Sequence, residues 1–170
     1  DYHGTMENYF RAKKRFFAEV LPAGKKPGEY KMIINGDDPW GRKLLEEAGP
    51  GALTYGMEKG CDITAESFSL SLEGIRATIR TKRNSFAIAS SLIGKFNLYN
   101  ILAATGAAVS LGISDRHIRE GIGNLRTVPG RLEKVSAEGE PALFVDYAHT
   151  DDALRKVLQN LWELKRGRII

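Results

Sequence analysis

The sequence predicts an α/β fold, and three observations lead to that class. Residues 30–48 have the pattern of a strand, a loop and a helix in succession, residues 63–90 that of three short strands, and residues 98–122 that of two helices. Strands that alternate with helices of these lengths are typical of a sheet covered by helices. The 170 residues are enough for one full core, or for one domain with part of another.

The first predicted helix begins after Thr5, whose hydroxyl suits the N-cap position, and runs from Met6 to about Leu21. Lys13 is the unusual lysine of this helix because it lies three residues after one apolar position and four before the next. Such a lysine pairs with an acid, extends its head to solvent, or stays neutral and reactive. The apolar positions of the row are Met6, Phe10, Phe17 and Val20.

The next predicted elements are strands. Residues 30–35 form the first strand, Gly36 to Asp38 a turn, and Pro39 the first position of a helix that continues to about Ala48. Asp38 is explained as the cap of that helix, so no catalytic role is assigned to it. Four further strands follow, the last three joined by tight turns that favour antiparallel pairing: 53–55, 63–70, 74–81 and 85–90.

The remaining elements are mostly helical. Asn97 is predicted to cap a helix that Gly112 ends, and Ser114 to cap a second one through about Ile122. Pro129 and Gly130 then break the chain before two short strands near residues 132–135 and 142–147. Thr150 starts an amphipathic helix whose inward residues are predicted to be Leu154, Val157, Leu158 and Leu161.

Composition excludes several classes of protein. Basic residues exceed acidic ones by 25 to 21, and these charges lack the clustered aromatic residues that stack on bases, so we expect no nucleic-acid partner. No apolar stretch approaches the ~20 residues that span a bilayer, so we expect no membrane segment. The single Cys61 lacks a partner for an internal disulfide, which favours a cytoplasmic location and a structural thiol.

Two asparagines occur close to the start of a predicted helix. The segment 94–104 reads GKFNLYNILAA and contains Asn97 and Asn100. A side-chain amide both donates and accepts hydrogen bonds, as adenine recognition requires. The plainer interpretation is that Asn97 caps the helix and Asn100 is incidental.

Two further motifs, VPGRLE and VDYAHT, lie at the boundaries of the last strands. Arg131 presents a planar, permanently charged fork that suits phosphate, or it forms a surface salt bridge with Glu133. Asp146 is able to accept from ribose hydroxyls, and His149 either lines the same pocket or satisfies the turn. The three polar clusters together indicate one nucleotide site.

With DYHGTME at the start of the sequence, the order of these motifs resembles the Mur ligase family over nearly the whole chain. The resemblance implies that residues 1–128 are the later part of a Rossmann-like central ATP-binding domain with a small antiparallel sub-sheet. Residues 129–170 are then the first strands and helix of a truncated, Rossmann-like C-terminal domain. Because a domain rarely ends on the first residues of an apolar strand, residues 168–170 also indicate a chain cut from a longer protein.

The same resemblance implies roles for individual residues. Lys13 is expected to be catalytic and, as a carbamate, to bind Mg²⁺ near the γ-phosphate of ATP. The residue pattern by itself, and not the resemblance, leaves His3 as a metal ligand or substrate contact, or as a surface or hydrogen-bonding residue of its loop. Nucleotide contacts are expected from Asn97, Asn100, Arg131, Asp146 and His149.

The implied activity is that of an ATP-dependent amide ligase acting as a monomer. It adds a third amino acid, meso-diaminopimelate or lysine, to UDP-N-acetylmuramoyl-L-alanyl-D-glutamate through an acyl phosphate. The sequence lacks a phosphate-binding loop of the form GxxxxGK[ST], so the 170 residues by themselves are not expected to catalyse. The alternatives are folylpolyglutamate synthetase or another Mur step, and a non-catalytic nucleotide-binding module.

Overall fold

The computed structural model describes residues 3–24, 31–48, 51–137, 139–165 and 167–170. The first two residues of the DYHGTME motif and the first residue of the predicted strand 30–35 lie outside these ranges. Within the described ranges, no helix is both long and apolar enough to cross a bilayer.

The N-terminal helix α1 comprises Met6–Arg15 and continues into a π-helical turn at Phe16–Val20. Thr5 caps α1 as predicted, because its Oγ1 accepts the amide of Asn8 at 3.1 Å. The predicted apolar row is only partly covered. Phe10 is its buried member, whereas more than half of the Met6 and Val20 side chains is exposed.

A five-stranded sheet begins with a parallel half. Strand β1 (Ile33–Asn35) pairs with β2 (Leu53–Gly56), and helix α2 (Pro39–Ala48) connects them. Asp38 caps α2 as predicted, since its Oδ1 accepts the amides of the second and third helical residues at 2.8 and 3.1 Å. These elements form a strand–helix–strand unit with parallel strands.

The other half of the sheet is an antiparallel meander. It consists of β3 (Ile63–Ser71), β4 (Gly74–Arg80) and β5 (Ser85–Ser90), so the predicted strands and their pairing are confirmed. β3 also pairs in parallel with β2, through two residue pairs at its start. The short loop 57–62 is long enough to connect these two parallel strands, because only the end of β2 pairs with the start of β3 and β3 then extends beyond β2.

Two helices pack on this sheet. Helix α3 (Lys95–Ser110) lies against β1, β2 and β3, and α4 (Asp115–Asn124) lies against β5. Ser114 caps α4 and Gly112 ends α3 at φ +77°, both as predicted. The core between sheet and helices includes the almost fully buried side chains Ile63, Ile75, Ile79, Leu98 and Leu102.

The prediction that Asn97 caps this helix is wrong. Helix α3 starts two residues earlier, at Lys95, and Gly94 occupies the N-cap position at φ +90°. That backbone conformation is accessible to glycine without strain, so the chain turns into the helix before Asn97. Asn97 is therefore inside the first turn, where its side chain is buried.

The last described part contains a two-stranded antiparallel sheet, β6 (Glu133–Lys134) with β7 (Phe144–Val145), and helix α5 (Asp151–Leu164). Thr150 caps α5 as predicted. The predicted inward orientation is wrong for Leu154 and Leu158, which are 46% and 51% exposed, because no described element covers their side of α5. The predicted strand at residues 168–170 is not formed. Among the described residues, β7 pairs only with β6, so residues 168–170 have no neighbouring strand to pair with.

Candidate functional site

A cleft of about 1020 Å³ lies between the first turns of α3 and the segment that leads from β7 into α5. Its volume is at the upper end of the range for small-molecule pockets. Four predicted site residues line it, one on α3 and three on the opposite wall: Asn100, Arg131, Asp146 and His149. Tertiary structure thus brings all three polar motifs to one cavity.

The two asparagines of α3 have different positions. Asn97 is 1% exposed and does not line the cleft. Its Nδ2 donates to the carbonyl oxygen of Ile93 at 2.8 Å, and its Oδ1 accepts from Asn100 Nδ2 at 3.2 Å. Asn97 therefore orients Asn100, whose own Oδ1 accepts no hydrogen bond from the described residues and remains available to a donor in the cleft.

Asp146 holds together the turns that form the opposite wall. Its Oδ2 accepts the amide of Leu132 at 2.8 Å, and its Oδ1 accepts the amide of Ala148 at 2.8 Å. Leu132 has φ +46°, a left-handed conformation that an L-residue keeps only when its surroundings hold it. Each carboxylate oxygen retains a second lone pair, so Asp146 is still able to accept from a ligand hydroxyl.

Arg131 projects from the Pro-Gly turn into the cleft as an exposed side chain. The alternative of a salt bridge with Glu133 is not realised among the described residues. Glu133 instead accepts the amide of Gly130 at 3.0 Å, which closes the turn. The guanidinium is consequently left for an anionic ligand, and Lys95 on the facing wall adds a second positive charge.

His149 contributes one ring nitrogen to its own turn. Its Nδ1 lies 2.8 Å from the carbonyl oxygen of Tyr147, and the two rings stack edge-to-face at 5.2 Å. Because a carbonyl oxygen only accepts, Nδ1 is the donor in this contact, and Nε2 faces no partner within the turn. His149 thus satisfies the turn and also lines the cleft, so both interpretations from the sequence apply.

Lys13 lies in a separate cavity of about 310 Å³ between α1, β1 and α2. Its side chain is exposed, with Nζ 5.4 Å from the ring centroid of Tyr9, so the lysine extends its head outward from the apolar row. The described residues contain no group of three or more His, Cys, Asp or Glu side chains that could hold a metal ion. As a carbamate, Lys13 would provide one ligand of a magnesium site.

His3 and Cys61 have structural surroundings. The His3 ring lies 5.3 Å from the Tyr9 ring, and the His3 carbonyl accepts from the side chain of Asn8. Cys61 is buried, and burial together with the neighbouring Asp37 carboxylate raises the pKa of its thiol. A thiol with these properties is a poor nucleophile.

Comparison with known proteins identifies the family of the chain. The sequence profile described as the Mur ligase middle domain matches residues 1–108. The chain belongs to the Mur ligase family. This match ends within α3, so the proposed boundary between residues 128 and 129 stays a prediction.

Individual Mur ligases resemble the chain over its whole length. A relative from Geobacter metallireducens, named UDP-N-acetylmuramoyl-L-alanyl-D-glutamate--2,6-diaminopimelate ligase, is 44% identical over 170 residues, which are 100% of this chain and 33% of the relative. A solved structure of a ligase with that name is 32% identical with a TM-score of 0.74, covering 96% of this chain and 33% of its own. MurF from Acinetobacter baumannii shares the fold at 22% identity, with a TM-score of 0.80 and coverage of 96% and 34%. The chain spans about a third of the length of its curated relatives.

In this Mur ligase chain, sequence reasoning missed a link between the parallel strands and α3. Asp37 accepts the amides of Met57 and Glu58 at 2.6 and 3.2 Å and the hydroxyl of Tyr99 at 2.8 Å. Burial and this hydrogen bond raise the pKa of Tyr99. Tyr99 lines the cleft next to Asn100, so Asp37 positions the helix without contacting the cavity. The signal in the sequence that could have indicated this role is the position of Asp37, a carboxylate shortly after the end of a strand.

Proposed function

We propose that the protein containing this chain is an ATP-dependent ligase that joins meso-diaminopimelate to UDP-N-acetylmuramoyl-L-alanyl-D-glutamate, acting in the cytoplasm as a monomer. The observation that carries the proposal is the single cleft lined by residues from three separate polar motifs. Membership of the Mur ligase family supports the reaction class. The printed names of the relatives support both the nucleotide-linked substrate and the amino acid.

The cleft suits a nucleoside triphosphate. Asn100 Oδ1 is an acceptor for the exocyclic amine of adenine, and the remaining lone pairs of Asp146 are acceptors for ribose hydroxyls. Arg131 and Lys95 supply positive charge for the phosphates. The ring of Tyr99, held through its hydroxyl by Asp37, supplies a fixed apolar surface beside the base.

The reaction proceeds in two displacement steps. A carboxylate oxygen of the terminal glutamate attacks the γ-phosphorus of ATP, which forms an acyl phosphate and releases ADP. The amine of diaminopimelate then attacks the acyl carbon, so that the amide bond forms, inorganic phosphate leaves and the amine loses its proton. When bound, Mg²⁺ supplies charge neutralisation at the phosphates. The described residues contribute mainly by positioning the nucleotide.

Phosphate release by the full-length protein tests this proposal. The protein is supplied with ATP, Mg²⁺ and the UDP-muramoyl dipeptide, and with meso-diaminopimelate, lysine or no amino acid. Release that depends on meso-diaminopimelate is expected. Release with lysine alone contradicts the proposed amino acid, and activity with a folate and glutamate instead indicates folylpolyglutamate synthesis. A folded protein that binds ATP without releasing phosphate under any condition indicates a non-catalytic nucleotide-binding module.

Arg131→Ala is expected to raise the KM for ATP by about ten- to a hundredfold, because a charged hydrogen bond to phosphate is lost. Arg131→Lys should show an intermediate KM, since lysine keeps the charge and loses the two-pronged geometry. Initial rates at varied ATP measure both effects. Arg119→Ala, on the exposed surface of α4, is the charge-matched control. An unchanged KM in Arg131→Ala rules out the phosphate contact.

A further inference from the structure

The first turn of α3 receives its cap from a residue far along the chain. The N-cap residue Gly94 has no side chain to offer, and the backbone N–H of Lys95 donates instead to Oδ1 of Asn160 on α5 at 2.9 Å. Asn160 Nδ2 donates to the carbonyl of Lys156 at 2.8 Å. This second bond fixes the orientation of the amide, so its oxygen faces the helix N-terminus and satisfies one of the unpaired donors there.

The contact joins the two walls of the cleft. Lys95 and Asn100 lie on the α3 wall, whereas Asn160 and Lys156 belong to α5 on the other wall. Asn160 is itself a lining residue and only partly exposed. The hydrogen bond therefore lies where α3 and α5 meet, at the edge of the space that the nucleotide would fill.

Gly94 allows this close approach. A Cβ atom at this position would lie 3.3 Å from Asn160 Oδ1 and 3.4 Å from a methyl group of Leu132. Such distances are tight for a Cβ atom, and the backbone at φ +90° disfavours a side chain in any case. The absence of a side chain thus lets α5 and the turn that carries Arg131 pack directly on the start of α3.

We propose that Asn160 is a positioning residue for the nucleotide, because its amide caps α3 and holds the Asn100 wall at a set distance from the Arg131 wall. The inference rests on the proposed function, since it concerns the same cleft. A ligand that contacts both walls binds more weakly when it must first order them. Loss of the cap is therefore expected to weaken ATP binding although Asn160 itself need not touch ATP.

The test compares three variants of the full-length protein. Binding of a non-hydrolysable ATP analogue is measured by calorimetry for Asn160→Ala, Asn160→Asp and the control Gln159→Ala, which lies on an exposed side of the same helix. Asn160→Ala should raise the dissociation constant about fivefold, in line with the loss of a helix cap. Asn160→Asp keeps an acceptor for the Lys95 amide but loses the Nδ2 donor and adds a negative charge to the cleft, so it serves as the cap-retaining control for hydrogen exchange and not for ATP affinity.

Hydrogen exchange provides a readout that reports on the cap itself. The amide of Lys95 should exchange faster in Asn160→Ala than in Asn160→Asp or Gln159→Ala. Equal dissociation constants in Asn160→Ala, Gln159→Ala and the unsubstituted protein overturn the inference, as does exchange of the Lys95 amide that is as fast in Asn160→Asp as in Asn160→Ala. If Asn160→Ala does not fold, Asn160→Gln displaces the amide oxygen by one methylene and carries the same expectation.

Failure of the proposed function is distinguishable from failure of this inference. An unsubstituted protein that does not bind the ATP analogue contradicts the nucleotide site. An unsubstituted protein that binds it, with variants that bind equally well, contradicts only the role of Asn160. If no nucleotide binds, hydrogen exchange still tests the cap. Exchange of the Lys95 amide that is unchanged in Asn160→Ala contradicts the capping of α3 by Asn160, and faster exchange supports it.

Discussion

Lys13→Ala is expected to lower ligation by the full-length protein about a hundredfold or more, the largest catalytic effect predicted for this chain. The reason is that a carbamate on Lys13, which the family resemblance implies and which we propose, would place a negatively charged ligand near the transferred phosphate, and alanine has no group that forms one. Phosphate release dependent on meso-diaminopimelate measures the loss.

Two control variants distinguish the effect of losing the carbamate from the effect of losing a positive charge. Lys13→Arg keeps the positive charge, but its guanidinium does not form a carbamate, so this variant should be as inactive as Lys13→Ala. Lys14→Ala removes the neighbouring lysine, which forms an ion pair with Glu47, and should retain most activity. Isotope-labelled bicarbonate should yield a carbamate signal by nuclear magnetic resonance in the unsubstituted protein and none in Lys13→Arg. Full activity of Lys13→Ala excludes the proposed role.

Leu102→Ala is expected to have the largest effect on stability, a loss of about 3 kcal/mol in the free energy of unfolding. Leu102 is 0% exposed and belongs to the core between α3 and the sheet, so truncation leaves a cavity that the surrounding side chains fill only in part. In a thermal melt of the full-length protein, the unfolding transition of this region should have a melting temperature several degrees lower in Leu102→Ala than in the unsubstituted protein.

The matched control is the same substitution at the end of α3. Leu111 is 77% exposed, so Leu111→Ala removes little buried surface and should shift the free energy of unfolding by less than about 0.5 kcal/mol. Equal melting temperatures for the two variants would contradict the assignment of Leu102 to the core.

Local signals explain why most elements could be predicted. The caps at Thr5, Asp38, Ser114 and Thr150 are interactions between a side chain and amides two or three residues away, so the sequence contains both partners. The three strands of the meander are likewise joined by short turns, and β5 alternates exposed and buried residues along its length. Such interactions do not depend on the rest of the chain.

The start of α3 was misplaced for the opposite reason. Asn97 has the residue type of a cap, but the true N-cap is Gly94, and the capping oxygen comes from Asn160. A glycine at positive φ and a partner on another helix leave no local pattern for sequence reasoning to detect. The same holds for Asp37, whose partner Tyr99 lies on a different element.

The sequence by itself determined the α/β class, the order of the elements and the residue types of the candidate site, because these depend on periodicity, capping and motif spacing. Only the tertiary structure decided that Asn100, Arg131, Asp146 and His149 share one cleft while Asn97 is buried behind it and Lys13 lies in another cavity. The physical reason is that packing of α3 against the sheet and against α5 sets which faces of these elements are covered, and contacts between distant segments have no local signature.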